Sequence, residues 1–466
     1  MKRVMRVWDI VFINIAAIVA VRWLAMTAAY GASSILLWVA AVLLFFIPLG
    51  LVSTELATTW PDQGGIYVWV REAFGRRAGF MASWFYWVNN FFYYPALLTF
   101  VTVIMASIIN PELAHNKLFV CGCVIGFLWI STFINVRGMK TFVRFSNLAG
   151  IFGVLLPLTI LIILGFGSVW FWKIPIATDY SWANWLPDLS SKSNLGFLAV
   201  LMFSMAGIEL MPTMAGETEN PQKTFPRATF ISAFFIVGLY IISTVAITFV
   251  LAPEKIGAAS GVIDTLFVLE KELHLPFLAL IVGGMMVLGS VGSIGVWIVA
   301  PIKMLLESCR DGVLPKWFMQ TNKDDMPVRA LLVQAVVVTL IVICISFLPS
   351  INAFFETLVL MAAITIFISY IFMFLAFIKL RIKYPEKYRP YRVPGCKLVG
   401  YLVAGVGLFS VFLAIVLAIV LVPNNLQSAH DVLLFRIEMA VDTIVFALVG
   451  YVIYALFEAR QKKKKS

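Results

Sequence analysis

The chain has 466 residues, 62% of them hydrophobic and 13% charged, with a mean hydropathy of +0.96. Soluble domains hold about 45–50% apolar residues, so this composition excludes a soluble globular protein and specifies a polytopic membrane protein. The net charge of +11 does not mark a nucleic-acid partner, because the basic residues are sorted into alternate loops.

A spanning helix needs about 20 mostly apolar residues. Twelve segments meet that need: 8–30, 34–56, 79–108, 118–136, 145–169, 195–214, 228–251, 277–306, 328–349, 354–378, 399–422 and 437–458. Met1–Arg6 is basic, but the apolar stretch runs to Tyr30 without a processing site, so a cleavable signal peptide is not expected. With the N-terminus inside, the internal loops and helix ends collect 28 of the 35 Lys and Arg. They include Arg71, Arg76, Arg77, Arg137, Lys140 and Arg144, seven between Lys379 and Lys397, and the Lys462–Lys465 tail. The external loops hold Lys117, Lys173, Lys192, Lys255, Lys271 and Arg436. This asymmetry predicts that both termini are cytoplasmic, with the basic tail anchored on anionic lipid. The external stretches near 170–194 and 252–276 are too short to fold alone, and Trp182, Trp185 and Pro187 are expected to cap the outer face.

Cys121, Cys123, Cys309, Cys344 and Cys396 avoid the predicted external loops, and Cys121 and Cys123 point to different faces of one helix, so no structural disulfide is expected. His115, His274 and His430 fall in separate external loops, which gives no support for a metal or for a cofactor.

The sixth segment carries the densest signal. Phe203-Ser-Met-Ala206-Gly207-Ile208-Glu209 puts a carboxylate and a glycine inside a membrane helix, and Glu217-Thr-Glu219-Asn220-Pro221 ends it in a polar run. Charge at that depth is costly and marks a pathway or a site. In the first segment, Ile18-Val19-Ala20-Val21-Arg22 lies at the same distance from its start as Ala206-Gly207 from the start of the sixth. Two interrupted helices, antiparallel and five apart, are what a pair of inverted repeats places at the midplane. Half-helix dipoles and freed carbonyls there suit a zwitterion such as an amino acid.

Four further stretches complete the pattern: Pro61-Asp-Gln-Gly64-Gly65-Ile-Tyr67-Val-Trp69-Val70, Asn135-Val-Arg137-Gly138, Arg310-Asp311-Gly312 with Pro315, and Arg389-Pro390-Tyr-Arg392-Val-Pro394-Gly395. With Gly207-Ile-Glu209 and Pro226-Arg227-Ala228, and in this order, the chain resembles the amino acid–polyamine–organocation superfamily along its whole length. Phe45-Phe-Ile-Pro-Leu-Gly50, Gly153-Val-Leu-Leu-Pro157 and Trp297-Ile-Val-Ala-Pro301 resemble its bacterial glutamate/γ-aminobutyrate antiporter branch.

The resemblance implies an all-α membrane protein of the leucine-transporter type in a bacterial inner membrane. Residues 1–170 would form a first five-helix repeat, 195–380 its inverted copy, 399–458 two peripheral helices and 459–466 the basic tail. It implies alternating access of a small amino-acid substrate, by exchange or, alternatively, by proton-coupled symport. By resemblance, the substrate carboxylate meets backbone at Ile18, Val19 and Ala20. The ammonium meets carbonyls from Phe203 through Ala206 and Gly207, Ile208 and Glu209 are further substrate-binding candidates, and Phe203 and Trp297 line or close the pathway. Two features depart from the pattern: Ile18-Val19-Ala20 replaces a Gly-Ser-Gly, and the fifth segment has no Lys in its apolar body.

Several residues carry two readings. Arg22 is either a cation for an acidic substrate or a gate carboxylate, or a side chain snorkelling outward beside Trp23. Glu209 is a gating group or a framework carboxylate, and a direct Arg22–Glu209 pair is one arrangement. Asn89 and Asn90 are weak pathway-lining candidates. Glu55 and Glu356, nearer helix ends, read as solvated or interfacial. Ser290 and Ser293 read as helix-packing residues ahead of sodium ligands. Met202, Met205, Met211 and Met214 read as core filler. A channel would show filter repeats or charge rings, and a membrane enzyme would cluster His, Asp or Glu at helical spacing. Neither is present, nor is a Gly-x-x-x-x-Gly-Lys loop for an ATP-driven pump.

Overall fold

A computed structural model describes residues 4–187, 192–257, 260–323, 326–345, 351–420 and 429–465. The side chains of His115, Lys192, Cys344, Glu356 and His430 lie outside those described. Among the described residues the fold is all-helical, with no strand beyond one isolated bridge between Met5 and Thr218. In chain order the helices are α1 (Val7–Ile18), α2 (Val21–Ala28), α3 (Gly31–Thr59), α4 (Ile66–Phe74), α5 (Arg76–Ile109), α6 (Lys117–Val136) and α7 (Lys140–Trp170). They continue with α8 (Lys192–Ser204), α9 (Pro221–Val250), α10 (Gly261–Glu272), α11 (Leu278–Arg310), α12 (Val328–Ile345), α13 (Ile351–Lys383), α14 (Lys397–Val420) and α15 (Ala429–Lys465). Among the described residues nine are long and apolar enough to cross a membrane, and α1 with α2, bent by 49°, make a tenth span. The chain is a multi-pass membrane protein.

Burial sorts the helices. The apolar windows of α13, α5 and α11 are 78%, 72% and 61% buried, whereas that of α15 is only 6% buried. The first three are therefore the core, and they pack on one another through α5. Phe234 of α9 and Phe409 of α14 are exposed, as is Leu288 on the outward face of α11, as expected where lipid replaces water and the outward face is as apolar as the core.

Two helices contain wide turns, Val42–Phe46 in α3 and Ala149–Leu155 in α7. Each is followed within two residues by a proline, Pro48 or Pro157. Proline lacks the amide and crowds the carbonyl four residues back, and a wider turn accommodates both. The turn in α7 brings Gly153 against Gly289 of α11: a β-carbon on Gly153 would lie 1.9 Å from the Gly289 Cα. Only glycine permits that crossing.

The end of the bundle that carries the N-terminus is held by charge. Glu55, at 1% exposure, accepts from Arg381 at 2.8 and 2.5 Å and from the Val393 amide at 2.7 Å, and it pairs with Arg389 at 3.2 Å. The expectation of a solvated or interfacial Glu55 is thus overturned: Arg381 near the end of α13 and Arg389 from the loop after it cover the carboxylate. Lys303 pairs with Glu217 in a buried bridge, while Tyr67 and Arg71 of α4 both donate to Asp311. Burial and the Asp311 carboxylate push the Tyr67 phenol well above its ordinary range. The backbone of Glu217 accepts from the amides of Val4 and Met5 at 2.8 and 3.0 Å, and Glu219 donates to Met5 at 2.9 Å.

Three predicted boundaries move. The loop 61–74 contains the helix α4. The last helix begins at Ala429, not 437, and extends to Lys465. The sixth segment is interrupted as expected, but earlier than Ala206-Gly207: α8 stops at Ser204, and Met211–Glu217 is a 3-10 turn in place of a helix end at 214. Polar Glu209 and the positive φ of Gly207 cannot be carried by an unbroken helix in an apolar core.

Removing one partner of a buried pair costs about 3–5 kcal/mol, against less than about 1 kcal/mol for an exposed one. Glu55→Gln should therefore lower the unfolding temperature of the detergent-solubilised protein sharply. Glu219→Gln, which loses only the exposed Arg6 pair at 3.2 Å, should leave it nearly unchanged. Equal shifts would contradict this assignment.

Candidate substrate site

The two interruptions meet in the middle of the bundle. α1 ends at Ile18, Val19 and Ala20 are extended (φ −74 and −108), and α2 restarts at Val21. α8 ends at Ser204, and Met205–Leu210 form irregular turns in which Gly207 has φ +123. A β-carbon on Gly207 would lie 3.1 Å from the Trp297 ring and 3.2 Å from the Ile18 side chain. Gly207 thus satisfies a left-handed backbone and a close approach together, which no L side chain does. The break in the eighth helix is longer than the predicted Ala206-Gly207, and the break in the first lies within the predicted Ile18–Ala20.

One phenol joins the breaks. Tyr240 of α9 faces the Ile18 carbonyl at 2.6 Å and the Ser204 carbonyl at 3.0 Å, the last carbonyls of α1 and α8. The Ala20 amide lies 3.5 Å from the same oxygen. A phenol has one proton, so it serves one carbonyl at a time, and Ile18 is the nearer. Trp38 stacks on the Tyr240 ring at 4.4 Å and donates its own N–H to Thr244, one turn on. Trp297 of α11 donates to the Ala17 carbonyl at 2.9 Å, and Tyr94 donates to the Trp297 carbonyl at 2.6 Å. The open carbonyls of the interrupted α1 are therefore met by side chains from α9 and α11, as a dry interior requires.

An aromatic group surrounds this junction. Phe203 lies edge-on to Trp23 at 5.9 Å and to Tyr93 at 6.1 Å, and Tyr93 packs on Trp297 at 4.8 Å. Ile18, Val19, Phe203, Ala206, Ile208 and Trp297 are all buried, and Ala20 is partly so. The four methionines at 202, 205, 211 and 214 are also buried, at 0–1% exposure.

Glu209 is fully buried and accepts on both oxygens: from Tyr86 at 2.5 Å and Tyr370 at 2.7 Å on one, and from the Gly207 amide at 3.2 Å on the other. It ties α5 and α13 to the broken segment. Its contacts exclude a direct pair with Arg22. Arg22 is fully buried as well, so it does not snorkel to an interface. Its guanidinium lies 4.2 Å from the Trp23 ring and 5.1 Å from the Tyr93 ring, and none of its three nitrogens has a hydrogen-bond partner. Asn90 donates to its own helix, to Tyr86 and Trp87 carbonyls, whereas neither amide atom of buried Asn89 has a partner. Ser290 and Ser293 bond to carbonyls of their own helix.

The residues absent from the sequence expectation are the phenols Tyr86, Tyr93, Tyr94, Tyr240 and Tyr370, together with Gln334. Gln334 accepts from Trp87 at 2.6 Å and donates to Tyr94 at 3.1 Å. Their available signal was a hydroxyl or amide in mid-span, which must find a partner in a dry core.

A family model described as "Amino acid permease" matches residues 5–448. The chain belongs to that family, within the amino acid–polyamine–organocation superfamily. An uncharacterised transporter of Legionella pneumophila is 36% identical over 97% of this chain and 96% of its own. A probable agmatine/putrescine antiporter of Lactococcus lactis is 28% identical over 92% of this chain and 90% of its own. A glutamate/γ-aminobutyrate antiporter from the same species is 25% identical over 90% of this chain and 84% of its own. This permease is a transporter and not an enzyme.

A methyl group at Gly207 meets Trp297 and imposes an unfavourable φ, a cost of about 1–3 kcal/mol. Gly207→Ala should lower thermal stability by that order. Gly238→Ala, in the interior of α9 with open space around its Cα, should raise stability slightly. Tyr240→Phe removes the one hydroxyl donor that the Ile18 and Ser204 carbonyls share and should cost about 1–3 kcal/mol in the same unfolding measurement. A neutral Tyr240→Phe would mean the hydroxyl does not hold the breaks together.

Proposed function

We propose that this permease is a secondary amino-acid transporter of a bacterial inner membrane, exchanging acidic or neutral amino acids by alternating access. The observation that carries the reading is the convergence of Ile18, Gly207 and Trp297, where two interrupted helices present backbone to one buried locus. The N-terminus of α2 offers amides and a positive dipole end to a carboxylate at Val19–Ala20. Carbonyls near Phe203–Gly207 and the Phe203 and Trp297 rings complete the contact with a zwitterion, with Asn89 the lining residue of the α5 face.

Twelve spans fit this reading: the nine long helices, the bent α1–α2 pair, α8 with its irregular continuation, and α12. An inverted repeat is supported by correspondence of elements. Short α4 precedes the 34-residue α5, just as short α10 precedes the 33-residue α11. The sorting of basic residues into alternate loops favours cytoplasmic termini in this reading.

The relatives' names divide between polyamine and amino-acid substrates. A buried guanidinium beside the breaks repels a diamine and attracts a carboxylate, which favours the second class. A proton-coupled symport is the second reading, and the buried Glu209 carboxylate is the observation that favours it.

The test is uptake of labelled glutamate, γ-aminobutyrate, leucine and putrescine into liposomes with and without internal amino acid, and with and without a pH gradient. Exchange requires internal amino acid. Uptake driven by the gradient alone would establish symport instead. Arg22→Gln should weaken glutamate at least about tenfold more than leucine, the loss expected for a charge-assisted contact in a dry site.

A further inference from the structure

The described buried cations divide into two kinds. Lys303 and Arg381 sit in buried pairs with Glu217 and Glu55. Arg22 is equally buried, yet among the described residues no carboxylate lies within 4 Å of it and all three nitrogens lack a hydrogen-bond partner. Two ring faces, Trp23 at 4.2 Å and Tyr93 at 5.1 Å, are what its charge rests on. Ring faces return only part of what a guanidinium loses on leaving water.

Its placement is as telling as its isolation. Arg22 is the second residue of α2, two positions past the extended Ala20. The Tyr93 ring beneath it also packs on Trp297 and Phe203, the aromatic residues of the candidate site. Asn89 lies one turn before Tyr93 on the same face of α5, buried and with both amide atoms unpartnered. An anion with hydrogen-bonding capacity is the ligand chemistry that answers both groups.

We propose that Arg22 makes closure of the carrier around its site conditional on a bound carboxylate, so that the protein exchanges substrates and does not return empty. This rests on the transporter reading above. A closed, empty carrier holds an uncompensated buried cation. A closed, loaded carrier holds an ion pair. The empty crossing is disfavoured by the difference between the two, while the loaded crossing is not, and obligatory exchange follows without a separate coupling ion. The charge acts on the translocation equilibrium as well as on affinity, which separates it from a simple specificity contact.

The experiment uses the full chain in liposomes loaded with labelled L-glutamate, whose side-chain carboxylate is the counter-ion that Arg22 lacks. Efflux is followed into buffer with and without the same unlabelled amino acid. For the wild type, efflux into substrate-free buffer should be at least about tenfold slower than exchange, since an uncompensated buried charge suppresses the empty return by that order or more. Arg22→Met removes the charge and should raise efflux into substrate-free buffer severalfold over the wild type. Arg22→Lys should keep the wild-type ratio. The same variants are melted in detergent without substrate, where Arg22→Met should unfold above the wild type. Substrate-free efflux in Arg22→Met that stays at the wild-type level overturns the proposal. So does a substrate-free Arg22→Met protein that fails to fold or melts below the wild type, because the cation would then be structurally satisfied. Absence of amino-acid flux in the wild type under every condition instead overturns the transporter reading.

Discussion

The architecture hangs on keeping two broken helices dry without leaving their backbone groups unpaired. An unpaired carbonyl in an apolar interior costs more than any single side-chain contact returns, so a break survives only where the fold supplies donors to it. Here one hydroxyl, from Tyr240, reaches the terminal carbonyls of both α1 and α8. The Trp297 indole takes the preceding Ala17 carbonyl. The donors come from α9 and α11, which places the stability of the α1 break in the hands of helices more than 200 residues away and that of the α8 break in the hands of the next helix. This explains why Trp38 and Tyr94, neither near a break in the chain, sit where they fix the orientation of Tyr240 and Trp297.

That dependence also decides what could be read in the sequence. The spans were legible because about 20 apolar residues leave a plain signal, and Gly207-Ile-Glu209 was legible because glycine and a carboxylate are out of place there. The break at Val19–Ala20 was legible from its position and from Arg22, although it has neither glycine nor proline. The phenols were not, because a tyrosine in an aromatic-rich span is indistinguishable by composition from one that merely packs. Glu55 misled for a related reason. Its partners Arg381 and Arg389 lie more than 300 residues away, at the end of α13 and in the loop after it, a basic stretch that sequence reasoning assigns wholly to topology. Charge sorting by side and charge pairing in the core use the same residues, and only the fold tells them apart.

The site and the charged end are built from different bonds, and the difference sets where movement is resisted. Around the breaks the contacts are phenol, indole and amide hydrogen bonds, each worth about 0.5–1.5 kcal/mol net, and several can be exchanged for a substrate's own groups. At the end carrying the N-terminus, Glu55, Glu217 and Asp311 hold Arg381, Lys303 and Arg71 across α3, α4, α11, α13 and the 3-10 turn Met211–Glu217. Separating either of the buried pairs, Glu55–Arg381 or Glu217–Lys303, without solvating both charges costs about 3–5 kcal/mol. Motions of that end must therefore carry each pair intact or admit water to both partners at once. The hydrogen-bonded site can rearrange by small steps, whereas the ionic end favours a change between discrete arrangements.

Arg22 then sits on the side of this division where it is least expected: a charge among neutral donors, in the part of the molecule free to rearrange. Tyr86 and Tyr370 satisfy Glu209 with hydroxyls that stay in place whether or not anything is bound. Nothing comparable is offered to Arg22, although Tyr93 and Trp23 fix where its guanidinium stands. Holding a charge in position while withholding its counter-ion costs stability, and it persists when the missing partner arrives from outside the fold. The same reasoning assigns the paired charges to the frame and the unpaired one to the cycle.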